Sequence, residues 1–303
     1  MIPIVTRALF DAFVFDLDGT LLDGQARLSE RTSRAVRALV SAGYVVVLAT
    51  GRSLAGTREV HDALGLDTEI CAYNGAWIGG HDGVDPWHYA PIPDARIADL
   101  HVLERRARFL FRHNGVRKFT ARPADALHQR VADWYTNVEH VDGGPSALPS
   151  RDLVRVSLFF EGGDAATAAW GELSDGARDE LHRETFPMSM FPGFEDVSLH
   201  LLEVQRRGRG KAEVYRYLAE RHGIPSHRVV AVGDQSNDLP LLRDAGLPVA
   251  MGNAIDELRA IARLVIGDHR HDGIAKWIEE HVLPRSAGSA LPDGGRIASP
   301  RGT

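Results

Sequence analysis

Four apolar residues run directly into a polar turn in the stretch Ala12-Phe13-Val14-Phe15-Asp16-Leu17-Asp18-Gly19-Thr20. A short run that is apolar at every position is typical of a strand covered on both faces, as the strands of parallel sheets are. Asp, Gly and Thr are residue types that favour turns. We therefore predict a buried strand over residues 12–15 and place Asp16 and Asp18 at its carboxyl end.

The same pattern recurs on the carboxyl side of this strand. Further apolar runs lie at 44–49, 70–73, 229–232, 248–251 and 264–266. Segments with helical spacing separate them, for example over 212–222 and near the end of the chain over 274–281. Apolar strands that alternate with amphipathic helices indicate an α/β fold with a parallel sheet.

Between the early and the late strands the pattern changes. Residues 84–200 contain strand-like runs at 109–112, 154–160 and 197–202 and a long helical stretch over 164–182. We predict that 84–200 is an inserted α+β domain and that 1–83 and 201–283 form one discontinuous core. The segment 284–303 is rich in Gly, Pro, Ser and Ala and is predicted to be disordered, since it has few large apolar residues to bury.

The composition argues against several classes of protein. The chain has 303 residues with 35 Lys plus Arg against 41 Asp plus Glu, a formal charge of -6, so it lacks the basic surplus that attracts nucleic acid. No apolar run approaches the roughly 18 residues of a membrane span, and we expect neither a signal peptide nor a membrane anchor. The single cysteine, Cys71, cannot form an internal disulfide, which favours a reducing, cytoplasmic location.

Several predicted strands are followed by residues that suit phosphate chemistry. Asp16, Asp18, Thr50 and Asp234 lie at or just beyond strand ends, and Lys211 comes just before a helix. Because ligands of an open parallel sheet bind outside the carboxyl ends of its strands, we expect these side chains to meet in one crevice. Three carboxylates, a hydroxyl and an ammonium group suit a divalent cation and a phosphate.

Each of these residues has a predicted task. Asp16 and Asp234 are the natural pair for Mg²⁺, which prefers oxygen ligands. An Asp carboxylate can be the nucleophile that forms an aspartyl-phosphate, and a second acid such as Asp18 can protonate the leaving alkoxide and later activate water. Positive charge around the phosphoryl oxygens can come from Lys211, Thr50 and the backbone N–H groups at Gly51.

The order of these residues resembles that in a known protein family. The four motifs of the haloacid dehalogenase superfamily are similar to Asp16-x-Asp18-Gly19-Thr20, Thr50-Gly51-Arg52, Lys211 before a helix, and Gly233-Asp234-x-x-Asn237-Asp238. The insertion after the third strand is similar to that of the Cof-type, cap-bearing phosphatases of this superfamily. One departure is Ala212, where many relatives have a glycine after the motif lysine.

The resemblance implies a Rossmann-like core, with the insertion as its cap domain. It implies an aspartyl-phosphate on Asp16, acid and base work by Asp18, and phosphate binding by Thr50 and Lys211. It also implies Mg²⁺ as the cofactor, bound by Asp16, the Asp18 carbonyl and Asp234.

Three further residues carry expectations from the same resemblance. Asn237 and Asp238 match the family positions that support the phosphate and the metal. We therefore expect Asn237 to bind the phosphate beside Gly51, and Asp238 to be a metal ligand. Asn253 looks like part of a recurring late segment of the family.

The predicted reaction is the hydrolysis of small phosphorylated metabolites, with sugar phosphates as the leading class. Two alternatives stay open at this point. One is a phosphomutase of the phosphomannomutase type, which returns the phosphoryl group to a sugar. The other is a non-catalytic metabolite-binding or regulatory module with the same fold. The oligomeric state is left open.

Overall fold

The structure, a computed structural model, describes residues 6–80, 82–135 and 137–283. Its strands are β1 (Ala12–Phe15), β2 (Val45–Leu48), β3 (Ile70–Ala72), β4 (Trp77–Gly79), β5 (His88–Tyr89), β6 (Phe109–Asn114), β7 (Arg117–Ala121), β8 (Val138–Val141), β9 (Arg155–Phe160), β10 (Leu181–Pro187), β11 (His200–Arg206), β12 (Val229–Gly233), β13 (Leu247–Ala250) and β14 (Leu264–Val265). Its α-helices are α1 (Glu30–Ser41), α2 (Leu54–Leu64), α3 (Ile97–Glu104), α4 (Ala126–Trp134), α5 (Gly163–Gly171), α6 (Asp175–Glu180), α7 (Glu213–His222), α8 (Leu239–Asp244), α9 (Asp256–Ile261) and α10 (Gly273–His281).

The core is a five-stranded parallel sheet in the order β14-β13-β12-β1-β2. In this sheet, Phe15 of β1 aligns with Leu48 of β2 and with Val232 of β12. Phe15 packs with residues of α1 and α10 on one face, whereas Val14 packs with residues of α7 and α8 on the other. Both faces of the sheet are buried, which explains why the strands are apolar at successive positions. The predicted α/β core with a parallel sheet is confirmed.

Serine caps fix where the first two helices begin. Ser29 accepts a hydrogen bond from the Thr32 backbone N–H at the start of α1. Ser53 accepts one from the Gly56 backbone N–H at the start of α2. Such caps satisfy backbone N–H groups that have no partner within the helix. The second cap also anchors the short loop between β2 and α2, which carries Thr50.

The inserted domain is built on a second sheet in the order β10-β11-β9-β6-β7-β8. Neighbouring strands are antiparallel except for β7 and β8. One face of this sheet packs with residues of α3, α5 and α6, including Leu103 and Trp170. The predicted α+β insertion is confirmed. The predicted helix over 164–182 is wrong as one element, because α5 ends at Gly171 and Ser174 caps a separate helix, α6.

Two details of the predicted organisation differ from the structure. The boundaries at 84 and 200 fall inside paired regions, since β5 pairs with β4 and all of β11 pairs with β10. These pairings place the ends of the inserted sheet domain near 90 and 206. The third predicted strand, β3, joins β4 and β5 in a small antiparallel sheet and contacts the core sheet through a bridge between Ala49 and Cys71. The tail at 284–303 lies outside the described residues.

Cys71 is fully buried in β3. Burial raises the pKa of its thiol to about 12, which suits packing rather than reactivity. Within the described ranges, none of the helices combines the length and the apolar character needed to cross a bilayer.

Candidate active site

Three neighbouring strands of the core bring predicted site residues together. Asp16 follows β1, Thr50 lies two residues beyond β2, and Asp234 follows β12. These parallel strands are adjacent in the order β12-β1-β2, so their carboxyl ends share one edge of the sheet. Asp16 is 5% exposed, Thr50 is 1% exposed and Asp234 is 3% exposed. These side chains therefore lie at one edge of the sheet, as the strand ends predicted, and all three are buried.

Lys211 is fully buried and lies between two carboxylates. Its Nζ donates hydrogen bonds of 2.6 Å to Asp16 Oδ1 and of 2.6 Å to Asp238 Oδ1. The residue sits in a turn, Gly210–Ala212, that leads directly into α7. Burial opposes the positive charge, but Asp16 and Asp238 outweigh it and raise the pKa of Lys211 above its ordinary value. Its ammonium group therefore stays charged at neutral pH.

Asp234 is oriented by side chains from three segments. Thr20 Oγ1 donates to Asp234 Oδ1 at 3.1 Å, and Asn253 Nδ2 and Gln235 Nε2 donate to Oδ2 at 3.1 and 3.4 Å. Asn253 Nδ2 also donates to the Gly19 carbonyl at 2.9 Å. Asn253, which the sequence indicated only by resemblance, thus ties the loop after β1 to a predicted metal ligand.

Asp238 holds the loop that follows β12. Its Oδ2 accepts hydrogen bonds from the backbone N–H groups of Asp234 at 2.9 Å and Gln235 at 3.1 Å. Its Oδ1 accepts the bond from Lys211. Both carboxylate oxygens are engaged, so Asp238 connects Lys211 to the loop that carries Asp234.

The crevice contains more negative than positive charge. Oxygen atoms of Asp16, Asp234 and Asp238 lie within 4.8 Å of one another, beside the single ammonium of Lys211. Burial, together with the neighbouring carboxylates, raises the pKa of Asp16 well above its ordinary value and that of Asp234 to about 7. A further cation stabilises such a cluster. Because these carboxylates and the Asp18 carbonyl offer only oxygen atoms as ligands, the residues fit Mg²⁺.

Asp18 lies at the mouth of the crevice, and its side chain is 57% exposed. Arg52 donates two hydrogen bonds to its carboxylate, from Nε at 2.7 Å and from Nη2 at 2.5 Å. Such a two-point contact fixes the plane of the carboxylate. The backbone N–H of Arg52 also donates to Thr50 Oγ1 at 3.0 Å. One arginine thus links the predicted acid–base residue to the predicted phosphate-binding threonine.

Asn237 lies opposite the loop between β2 and α2. Its Nδ2 donates to Asn74 Oδ1 at 3.1 Å. A side chain on Gly51 would come within 3.2 Å of the same Asn74 oxygen, so Gly51, Asn74 and Asn237 are neighbours. The structure therefore brings Gly51 and Asn237, two of the predicted phosphate-binding residues, to one place.

Sequence reasoning missed residues whose role depends on distant neighbours. Arg52 and Asn74 follow strands β2 and β3, so the strand-end argument could have identified them. Gln235 lies next to Asp234 and could have been found in the same way. Arg155 and Glu184 reach the site from the inserted sheet, and no local signal in the sequence distinguishes them.

Gly19 is a position where we expect a single methyl group to be costly. Its φ of +79° is left-handed, and a Cβ there would lie 2.3 Å from Asp234 Oδ2. We expect Gly19→Ala to lower the free energy of unfolding by about 1–3 kcal/mol beyond the cost of the left-handed backbone alone. Chemical denaturation measures this, with Gly43→Ala as the control, because Gly43 has φ +84° and no atom within 4 Å of a Cβ. Equal losses in both variants would contradict the predicted clash.

Comparison with known proteins gives a consistent family assignment for most of the chain. A family model described as haloacid dehalogenase-like hydrolase matches residues 13–122 and 172–278. The 5-amino-6-(5-phospho-D-ribitylamino)uracil phosphatase of Bacillus subtilis strain 168 is 27% identical over 274 residues, which cover 88% of this chain and 95% of that protein. The pyridoxal phosphate phosphatase of Escherichia coli K12 is 27% identical over 273 residues, which cover 88% of this chain and 97% of that protein.

Solved structures agree on the architecture. A haloacid dehalogenase-like hydrolase from Bacteroides thetaiotaomicron superposes with a TM-score of 0.74 at 22% identity. The alignment covers 89% of this chain and 98% of that chain. The matched architecture therefore includes both the parallel core and the inserted domain.

Proposed function

Since this chain belongs to the haloacid dehalogenase-like hydrolases, we propose that it hydrolyses small phosphorylated metabolites through an aspartyl-phosphate on Asp16, with Mg²⁺ as its cofactor. The family match confirms the resemblance that its sequence motifs indicated. The two named relatives from Bacillus subtilis and Escherichia coli are both phosphatases. The general activity is therefore that of a phosphatase. The substrate and the roles of individual residues are what we propose here.

The observation that carries the proposal is the buried ion pair of Asp16 and Lys211 within the acidic cluster. A fully buried lysine orients one oxygen of Asp16 at 2.6 Å. Among the described residues no other hydrogen bond to the Asp16 carboxylate is seen, so its Oδ2 is the candidate nucleophile. Burying three acids and a lysine is costly for stability, and such arrangements are concentrated at functional sites.

The residues can perform two successive displacements. In the first, Asp16 Oδ2 forms a bond to phosphorus while the bond to the leaving oxygen breaks, and Asp18 gives a proton to that oxygen. In the second, Asp18 takes a proton from water, the water oxygen bonds to phosphorus, and the bond to Asp16 breaks to release inorganic phosphate. Both oxygens of the Asp18 carboxylate bond to Arg52, so one of these hydrogen bonds must break before Asp18 can contact the leaving oxygen.

Hydrogen-bond donors around the phosphoryl oxygens assist both displacements. Lys211, the Thr50 hydroxyl and backbone N–H groups at Gly51 can donate to these oxygens, and Asn237 lies beside Gly51. We propose that Asp16, the Asp18 carbonyl and Asp234 bind Mg²⁺ directly. For Asp238, which the sequence predicted as a further ligand, we propose an indirect contribution instead, because its two oxygens already hold Lys211 and the loop. When bound, the ion neutralises carboxylate and phosphate charge that would otherwise repel.

We propose a small substrate because the inserted domain contacts the loops around the crevice, through Arg155 at Gly51 and Glu184 at Asn74. The names of the two relatives refer to a phosphorylated ribitylaminouracil and to pyridoxal phosphate. These compounds share a phosphate monoester and differ in the rest of the molecule. We therefore propose a small phosphate monoester in general and sugar phosphates as the first class to assay. The buried lone thiol Cys71 supports the cytoplasm as the proposed location.

The proposal is tested by the release of inorganic phosphate from an aryl phosphate, with Mg²⁺ or with a chelator. The wild-type protein is compared with Asp16→Asn. Release that depends on both Mg²⁺ and Asp16 supports the proposal. Conversion of a sugar 1-phosphate to the 6-phosphate, stimulated by a bisphosphate, would instead indicate the phosphomutase. Tight metabolite binding without turnover would indicate a binding module.

The cation also has an expected effect on stability that does not depend on activity. The pKa of Asp234 is raised from 3.8 to about 7, so the folded metal-free protein holds a proton that the unfolded chain loses between these values. Its free energy of unfolding therefore falls as the pH rises through this window. Mg²⁺ replaces the proton, and we expect saturating Mg²⁺ to raise the melting temperature more at pH 8 than at pH 5.

Asp234→Asn is the control for this effect. It removes the titrating carboxylate, so the metal-free variant should lose less stability than the wild type between pH 5 and pH 8. It should also gain little from Mg²⁺ at either pH. An equal rise in melting temperature at both pH values for the wild type would contradict the predicted coupling of Asp234 to the ion.

A further inference from the structure

A buried arginine of the inserted domain reaches the loop that follows β2. Arg155 is the first residue of β9 and is 3% exposed. Its Nη1 donates to the Gly51 carbonyl at 2.7 Å and lies 2.8 Å from Glu203 Oε2, while its Nη2 donates to Gln205 Oε1 at 3.0 Å. The guanidinium carbon is 5.0 Å from the centre of the Tyr73 ring. A single side chain thus connects the inserted sheet with the candidate active site.

The register of the inserted sheet explains this placement. Val156 points into the hydrophobic core of the inserted domain, so the neighbouring position, Arg155, lies on the other face of β9. Val156 aligns with Val204 of β11, which places Glu203 and Gln205 on the same face as Arg155. These two side chains hold the guanidinium from the adjacent strand.

The contact with Gly51 fixes more than one carbonyl. The peptide between Gly51 and Arg52 is planar, so an anchored carbonyl also sets the direction of the Arg52 N–H. That N–H donates to Thr50 Oγ1 at 3.0 Å, which leaves the hydroxyl hydrogen of Thr50 for an acceptor in the crevice. The side chain of the same Arg52 holds Asp18. Arg155 therefore contacts the peptide group between Gly51 and Arg52 directly. The N–H of this peptide bonds to Thr50, and the side chain of Arg52 holds Asp18.

A second hydrogen bond also joins the inserted domain to the core. Glu184 of β10 accepts a hydrogen bond of 2.9 Å from Asn74 Nδ2, and Asn74 Oδ1 accepts one of 3.1 Å from Asn237. The inserted sheet thus contacts the phosphate-binding side of the crevice from two different strands. The first contact ends on Gly51 itself, and the second ends on Asn74, whose Oδ1 would lie 3.2 Å from a Cβ on Gly51.

From this geometry we propose that Arg155 is a positioning residue: its contact with Gly51 makes the alignment of Thr50 and Asp18 depend on the seating of the inserted domain on the core. This inference rests on the proposed phosphatase function. It assigns to Arg155 no contact with the substrate. The arrangement means that the site is fully ordered only when the inserted domain is closed on it.

Arg155→Lys is the test, with Arg112→Lys as the matched control. Lysine keeps the charge beside Glu203 but cannot serve several acceptors in one plane. Arg112 is also a buried arginine of the inserted sheet, bonded to Glu104 at 2.8 and 2.7 Å and to the Leu148 carbonyl at 2.8 Å, and none of these partners belongs to the core. Both variants thus change the same chemistry in the same sheet.

Two measurements are made on each variant. Hydrogen exchange followed by mass spectrometry reports on the loop at 50–53, and steady-state hydrolysis of an aryl phosphate gives kcat and KM. For Arg155→Lys we expect exchange in the loop to be about 10-fold faster. We expect kcat to fall by about 10- to 100-fold while KM changes by less than about threefold, because alignment rather than binding is lost. Arg112→Lys should match the wild type in both measurements.

Other outcomes are equally informative. Unchanged exchange in the loop of Arg155→Lys, or the same changes in Arg112→Lys, would overturn the inference. If Arg155→Lys fails to fold, the double variant Arg155→Gln/Glu203→Gln removes both members of the ion pair, and the same two measurements apply. A wild-type protein without turnover would defeat the proposed function, whereas the exchange data would still decide whether Arg155 orders the loop.

Discussion

Asp16→Asn is expected to lower the turnover of an aryl phosphate by at least about 10⁴-fold, the order of loss seen when a catalytic nucleophile is removed. The amide has nearly the shape of the carboxylate, but it lacks the anionic oxygen that forms the bond to phosphorus. Lys211 keeps its bond to Asp238 in the variant, so the lysine remains paired. Phosphate release and thermal unfolding of the purified variant together measure the effect.

The stability measurement separates a chemical loss from a folding defect. Burial raises the pKa of Asp16 well above its ordinary value, which means that its ionised form is disfavoured in the metal-free crevice. A neutral amide should therefore leave the metal-free protein at least as stable at pH 8. Asp62→Asn, an exposed change on α2, is the control and should retain full turnover. Comparable turnover by Asp16→Asn and the wild type would remove Asp16 as nucleophile.

Much of the core and of the acidic cluster could be predicted because both follow from local patterns. A strand that is apolar throughout predicts a parallel sheet, and parallel strands place their carboxyl ends at one edge. Asp16 and Asp234 each follow such a strand, so their meeting required no knowledge of side-chain geometry. Lys211 depended on the family resemblance, since its own neighbourhood is a run of basic residues.

The contribution of the inserted domain could not be predicted in the same way. Arg155 and Glu184 reach the core only because the strands of the inserted sheet pair in one register, and a shift by one residue would turn both side chains to the other face. The error in the predicted domain boundary also comes from strand pairing. The sequence placed that boundary inside β11, because an apolar run does not show where the pairing of a strand ends. The contact of Asp18 with Arg52 depends on two loop conformations that neither strand specifies.

Lys211→Met is expected to damage both stability and catalysis. The change leaves the buried carboxylates of Asp16 and Asp238 without their shared cation, and breaking a buried ion pair from one side typically costs about 3–5 kcal/mol. The lost positive charge beside the phosphoryl group should lower kcat by about 10²- to 10³-fold. Chemical denaturation at pH 8 measures the first effect, and phosphate release with Mg²⁺ measures the second.

The pH dependence of the stability loss in Lys211→Met tests whether unpaired carboxylates cause that loss. Without Lys211, protonation of Asp16, whose pKa burial already raises, relieves part of the charge, so the stability lost relative to the wild type should be larger at pH 8 than at pH 5. Adding Asp238→Asn to Lys211→Met should recover part of that stability at pH 8 without restoring turnover. Lys276→Met, on the exposed face of α10, should change neither quantity. A loss that is the same at both pH values, and that Asp238→Asn does not reduce, would mean that Lys211 stabilises the fold by packing and not by charge.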